Sequence, residues 1–170
     1  TLTYGQPRLT EELAAPGFTP TEVLSLVASI ERYSKHPLAM AIQRRASDSG
    51  VPLSEASQIS EPPGQGLTGF VNGRAVQITS RNQLAGNHRD AVALLPPIAS
   101  GLECVIVVDD KYAATYRFRD EPRADGQSFI GHLSPRHQVR RVLIVSGDRE
   151  SEVRYLADKV EASRRRRRTG

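Results

Sequence analysis

The chain has 170 residues, 38% hydrophobic and 25% charged, with 13 Gly, 11 Pro, one Cys and no Trp. That suits a protein with one sizeable core and many turns, and it excludes a disulfide framework and any run near the ~20 apolar residues a bilayer span needs. The formal net charge of +4 comes from one place: Arg164–Arg168 supply five of the 23 basic residues, and without them 18 face 19 acidic residues. Residues 162–170 therefore read as a disordered, solvated basic tail, and no nucleic-acid partner is expected, because no aromatic side chains interleave the charges.

In chain order, Thr19-Pro20-Thr21-Glu22 is a helix start, with a Thr cap, Pro at the first helical position and Glu three after the cap. Val23, Leu26, Val27 and Ile30 follow at helical spacing. Pro37 opens a second helix whose apolar face begins Leu38, Ala41, Ile42 and which Gly50 ends, so His36 is a junction residue with Glu31 near the end of the preceding helix. An imidazole and a carboxylate so placed suit a flat, nitrogen-rich ligand: the ring can stack and the carboxylate can accept from an exocyclic amine. Alone, a His before a Pro is more often a structural residue than a ligand contact.

Gly64-Gln65-Gly66-Leu67-Thr68-Gly69 spells a dinucleotide fingerprint, but an Asn72-Gly73 hairpin between strand-like runs follows it, where a dinucleotide fold needs a helix. Gly64 and Gly66 are then either turn glycines beside Pro62-Pro63 or points where backbone comes close to a ligand. The stretch 85–101 predicts a short helix and a loop. Cys104–Val108 and Tyr112–Phe118 predict a further hairpin, with Cys104 packed rather than reactive. Arg141–Val145 reads as a short buried strand with Ser146-Gly147-Asp148 at its C-terminal end, and Val153, Leu156, Ala157 and Val160 as a helix after it. Strand, polar turn and helix form the unit in which open parallel sheets bind ligands; Asp148 as a plain helix cap is the simpler reading.

Taken together and in order, these motifs resemble the heavy-metal-transporting P-type ATPases. Ser34-Lys35-His36-Pro37-Leu38-Ala39 matches their Ser-x-His-Pro-Leu-Ala signature, with Glu31 at the family's spacing, five residues before His36. Thr1-Leu2-Thr3-Tyr4-Gly5 is similar to the residues just after the phosphorylated aspartate, Asp120-Glu121-Pro122-Arg123 to the Asp-x-x-Arg hinge, and Ser146-Gly147-Asp148 to the Thr-Gly-Asp motif. The resemblance implies an α/β fold. Residues 8–117 would be an α+β nucleotide-binding domain with an antiparallel sheet flanked by helices. Residues 1–7 and 118–161 would be part of a Rossmann-like phosphorylation domain of haloacid-dehalogenase type.

The same resemblance assigns Glu31, His36, Gly64 and Gly66 to ATP, and Ser146 with Asp148 to contact with the phosphoryl group. It implies ATP and Mg2+ as cofactors, an aspartyl-phosphate intermediate, transmembrane and actuator domains as partners, and a transition-metal cation, copper among the candidates, as cargo. The nucleotide domain would lie on the cytoplasmic side of an integral membrane protein. The phosphorylated aspartate and the later Gly-Asp-Gly segment that holds magnesium are not in these residues, so the expectation is an engineered soluble fragment that binds ATP without completing catalysis. Thr79-Ser80 stand where the family has Gly-Asn, which predicts weaker nucleotide contact or another loop path. The alternatives are a fragment of a haloacid-dehalogenase-like phosphatase, which would need an N-terminal Asp-x-Asp, and a non-catalytic nucleotide-binding or interaction module.

Overall fold

The computed structural model describes residues 3–87 and 89–122, together with 150, 153–155, 157 and 158. The chain divides into two compact units, Pro7–Arg119 and Thr1–Gln6 with Asp120–Gly170. The second lies mostly outside the described residues. Its described positions from Glu150 to Asp158 are helical, within the stretch predicted to be helix, and Arg154 pairs with Glu150 at 2.8 Å.

The elements run β1 (Thr3–Ala14), α1 (Pro20–Glu31), α2 (Pro37–Ser49), β2 (Ala56–Ser60), β3 (Leu67–Val71), β4 (Arg74–Thr79), α3 (Arg81–Asn87), α4 (Arg89–Val92), β5 (Leu102–Val108) and β6 (Lys111–Pro122). They build one six-stranded sheet in the order β1-β6-β5-β4-β3-β2. Each pairing from β2 through to β6 is antiparallel. Two hairpins set the register. Asn72 and Gly73 both have positive φ (51° and 77°), as do Asp109 and Asp110 (50° and 61°), the geometry whose twist suits a two-residue hairpin.

Both helices start as the sequence predicts. The Thr19 hydroxyl accepts from the Glu22 N–H at 3.2 Å, and Gly50 ends α2 in the left-handed region. Val23, Val27 and Ile30 of α1 and Ile42 of α2 are wholly buried against Val76, Ile106 and Phe118 of the sheet. A smaller cluster of Leu84, Val105, Val107 and Tyr112 covers the other face. β5 is thus apolar at consecutive positions because alternate residues meet a different core on each side.

The structure differs from the sequence expectations at the sheet edges. β1 and β2 are strands that the sequence did not announce. Each is the outermost strand: β1 carries Pro7, and β2 has Gln58 at φ 52° with an irregular register between Ser57 and Ser60. Edge strands tolerate proline and bulges and need no clean alternation, so the pattern that reveals inner strands is missing there. The stretch 85–101 holds the short helix α4 and a loop, as the sequence predicts, and a further helix, α3, precedes it at Arg81, where the Ser80 hydroxyl caps it by accepting from the Gln83 N–H at 3.3 Å.

Gly66 lies where β3 and β4 begin to pair, with φ +91°, and a methyl group there would overlap the carbonyl oxygen of Ile78. Gly64 also has positive φ, +74°, but open space around it. Gly66→Ala should therefore cost roughly 3 kcal/mol, the left-handed backbone penalty plus a backbone clash, and Gly64→Ala only about 1 kcal/mol. Urea unfolding of the two variants measures the difference, and equal losses would refute the packing assignment.

Candidate functional site

The turn between α1 and α2, the loop after β2 and the ends of β4 and β5 enclose a cleft of about 580 Å³. Glu31, His36, Gly64 and Gly66 all line it, with Ile78, Thr79 and Cys104 among the residues behind them. Four residues separated by up to 35 positions in the chain thus meet at one place.

Each arrives there for a local reason. α1 ends at Glu31, so the packing that buries Ile30 also carries the Glu31 side chain inward, leaving it 5% exposed. His36 is the N-cap of α2: its Nδ1 accepts from the Leu38 N–H at 3.2 Å. Neutral His36 then carries its proton on Nε2, and the exposed ring keeps a face and one donor for a ligand. Ser34 ties the turn together: its hydroxyl accepts from the His36 N–H at 3.0 Å and donates to Oε1 of Glu61 at 2.7 Å.

The glycine loop is held from the other side. The Gln65 N–H donates to the Pro62 carbonyl at 3.1 Å, and the Gln83 amide donates to the Gly64 carbonyl at 2.9 Å. Thr79 Oγ1 lies 3.4 Å from the Gln65 carbonyl. Thr79 and Ser80 are not among the residues with positive φ, so neither position here demands glycine. Thr79 completes β4 opposite Val105 and Ser80 starts α3, and both face the cleft. Ser34, Glu61 and Gln83 were not singled out in the sequence. The Ser in Ser-x-His-Pro was a usable signal, since a hydroxyl two residues before a helix cap often bonds the cap's N–H; Glu61 and Gln83 carried none.

Electrostatics single out Glu31. Its Oε2 is buried without a hydrogen-bond partner. Burial pushes its carboxyl up to about 7, opposed by the Ser34 hydroxyl and reinforced by the Glu61 charge. Glu103, also at the cleft, is neutralised by the Arg81 guanidinium through bonds of 2.6 and 3.3 Å. Cys104 is buried, and burial raises its thiol far above its ordinary range. Among the described residues no group of three or more His, Cys, Asp or Glu could hold a metal ion, and no helix is long and apolar enough to cross a membrane. Ser146 and Asp148 lie outside the described residues, as do Thr1, Leu2 and Arg123 of the other motifs.

The buried carboxyl has a consequence for stability. A folded-state value near 7 against 4.5 means that the folded chain holds a proton that the unfolded chain releases between those pH values. The contribution is complete below pH 4.5 and is lost as pH rises through 7, on the order of 3 kcal/mol. Urea midpoints measured from pH 4.5 to 8 should fall across this window, and Glu31→Gln should flatten the fall.

No protein-family model matches the chain. Its relatives nonetheless agree with one another. It is 43% identical over 90 residues, 53% of its length, to copper-transporting ATPase 2 of Rhizobium meliloti (strain 1021), covering 11% of that protein. It is 34% identical over 138 residues, 79% of its length, to the zinc/cadmium/lead-transporting P-type ATPase of Shigella sonnei (strain Ss046), covering 18% of it. Among solved structures, a zinc-transporting PIB-type ATPase in the E2.Pi state superposes with a TM-score of 0.76 at 27% identity, over 95% of this chain and 26% of that one. Solved N-domains of copper-transporting P-type ATPases share the fold. The chain spans between a tenth and a fifth of the length of the first curated relatives it matches. It belongs with the heavy-metal-transporting P-type ATPases, matching the part of them that holds the nucleotide-binding domain.

Proposed function

We propose that residues 8–117 bind ATP, with the adenine in the cleft between the α1–α2 turn and the glycine loop. The observation that carries this reading is the unpartnered, buried Oε2 of Glu31 in the same cleft as the exposed ring of His36. An unpaired polar atom at that depth costs stability unless a ligand supplies a partner, and the 6-amino group of adenine is such a donor. The His36 ring would stack on the purine. Gly64 and Gly66 bring main chain to the rim, so that a ligand can lie against backbone instead of side chains.

In this reading the nucleotide domain serves a longer P-type ATPase on the cytoplasmic side of a membrane. Residues 1–7 and 118–161 would belong to its phosphorylation domain, where Ser146 would contact the phosphoryl group. The whole protein would transfer the γ-phosphoryl group of ATP to an aspartate and hydrolyse the aspartyl-phosphate, driving a transition-metal cation through transmembrane segments together with an actuator domain. Magnesium would accompany the triphosphate, whose phosphate oxygens supply part of its ligand shell.

Calorimetric titration of this chain with ATP should give saturable binding. His36→Ala and Glu31→Ala should each weaken it by about tenfold, the scale of one lost base-stacking or buried polar contact. Absence of saturable binding at millimolar ATP would overturn the assignment. Incubated with radiolabelled ATP, the 170-residue chain should show no acid-stable phosphorylation.

A further inference from the structure

Glu31 and Glu61 bring two carboxyl groups to one cleft, and this arrangement bears on how the base is read. Glu31 is 5% exposed, has an oxygen without a partner and makes no ion pair among the described residues. Ser34, the residue nearest to bridging the two, gives its hydroxyl proton to Glu61 at 2.7 Å. Glu61 is thereby fixed as an exposed acceptor beside the buried acid. The other ionisable groups lining the cleft are Lys35 and His36 on the α1–α2 turn and Glu103 and Cys104 on β5. Glu103 is matched by Arg81. Lys35 and His36 are exposed at the mouth. Nothing in the set offers Glu31 a compensating positive charge at ion-pair distance.

We propose that Glu31 reads the purine as a neutral carboxylic acid, its O–H donating to a ring nitrogen while its other oxygen accepts from the 6-amino group. Glu61, anchored by Ser34, acts as the positioning residue that disfavours the ionised form. The proposal rests on the ATP reading above and deepens it. An ionised carboxylate has only acceptors and can satisfy one of the two adjacent adenine groups, leaving the ring nitrogen unpaired. A neutral acid has one donor and one acceptor side by side and satisfies both. Burial without a cation favours the neutral form before any ligand arrives, and a purine covering the cleft deepens that burial. Binding above the titration of Glu31 therefore takes a proton from solvent.

The test is calorimetry of ATP with excess magnesium at pH 8, in buffers of different ionisation enthalpy, so that proton transfer is read from the heat. The wild-type chain should take up close to one proton per ATP bound. Its affinity should fall about tenfold per pH unit above 7, the value to which burial raises the Glu31 carboxyl. Glu31→Gln carries a permanent donor and acceptor in the same place. It should bind ATP with no proton uptake and with affinity flat from pH 7 to 9. Glu61→Gln should move the pH at which affinity begins to fall downwards. Binding of ATP to the wild-type chain without proton uptake would overturn this inference and leave the ATP reading standing. So would loss of binding in a Glu31→Gln chain that unfolds at the wild-type urea midpoint or above it. An unmoved profile in Glu61→Gln would remove Glu61 from the proposal, and no binding of ATP at any pH would overturn both readings.

Discussion

The packing of α1 on the sheet is the constraint on which the rest depends. Val23, Val27 and Ile30 have no exposed surface, and each is worth about 1.5–3 kcal/mol of burial. A helix held at successive turns by fully buried residues cannot slide or rotate without opening cavities. Its last residue is Glu31, and a carboxyl that would otherwise sit in water is taken inside as a by-product of apolar packing. The cost of keeping it there, without a partner, is borne by the same contacts. The cleft is therefore a consequence of the core and not a hollow added to it.

The two glycines at the rim do different things. Gly66 is required by the fold: β4 passes so close that no side chain fits, whether or not a ligand binds. Gly64 is required only by its turn and faces open space. Both glycines occupy the turn that the sequence offered as one alternative, and the close approach seen at Gly66 is to the protein's own backbone. Thr79 and Ser80, which stood out as a departure, each have a place in the same framework: one ends a strand and the other caps a helix. Their ordinary backbone angles remove the conformational argument for glycine there, though not the difference in side chains presented to the cleft.

Much of this was legible because the signals were local. Thr19, Pro20 and Glu22 announced α1, Pro37 and Gly50 bracketed α2, and Asn72-Gly73 announced a hairpin, each through backbone preferences that tertiary contacts did not override. The cores on both faces of β5 could be read as one apolar run. What stayed hidden was relational. β1 contains Pro7, which a strand tolerates at a sheet edge, and that place is known only from the fold. Glu61 is an unremarkable acid between a polar strand and two prolines, and it matters only because Ser34, 27 residues earlier, folds back to meet it. The burial of Glu31 was likewise invisible, since an acid at a helix C-terminus is ordinarily solvated.

Arg74 lies at the other end of β4 from the cleft. Its guanidinium bonds Asp109 at 2.8 Å in the turn between β5 and β6, pairs with Glu22 in the first turn of α1, and lies 5.8 Å from the Phe18 ring centre. One side chain thus fastens two hairpins and the start of α1, roughly 14 Å along the helix from Glu31 by helical rise. The domain is pinned at its heel and open at its mouth, where Ser34 reaches Glu61, Thr79 reaches Gln65 and Gln83 reaches Gly64. With α1 fixed along its length, adjustment to a guest falls to the α1–α2 turn and the glycine loop, and the buried core stays as it is.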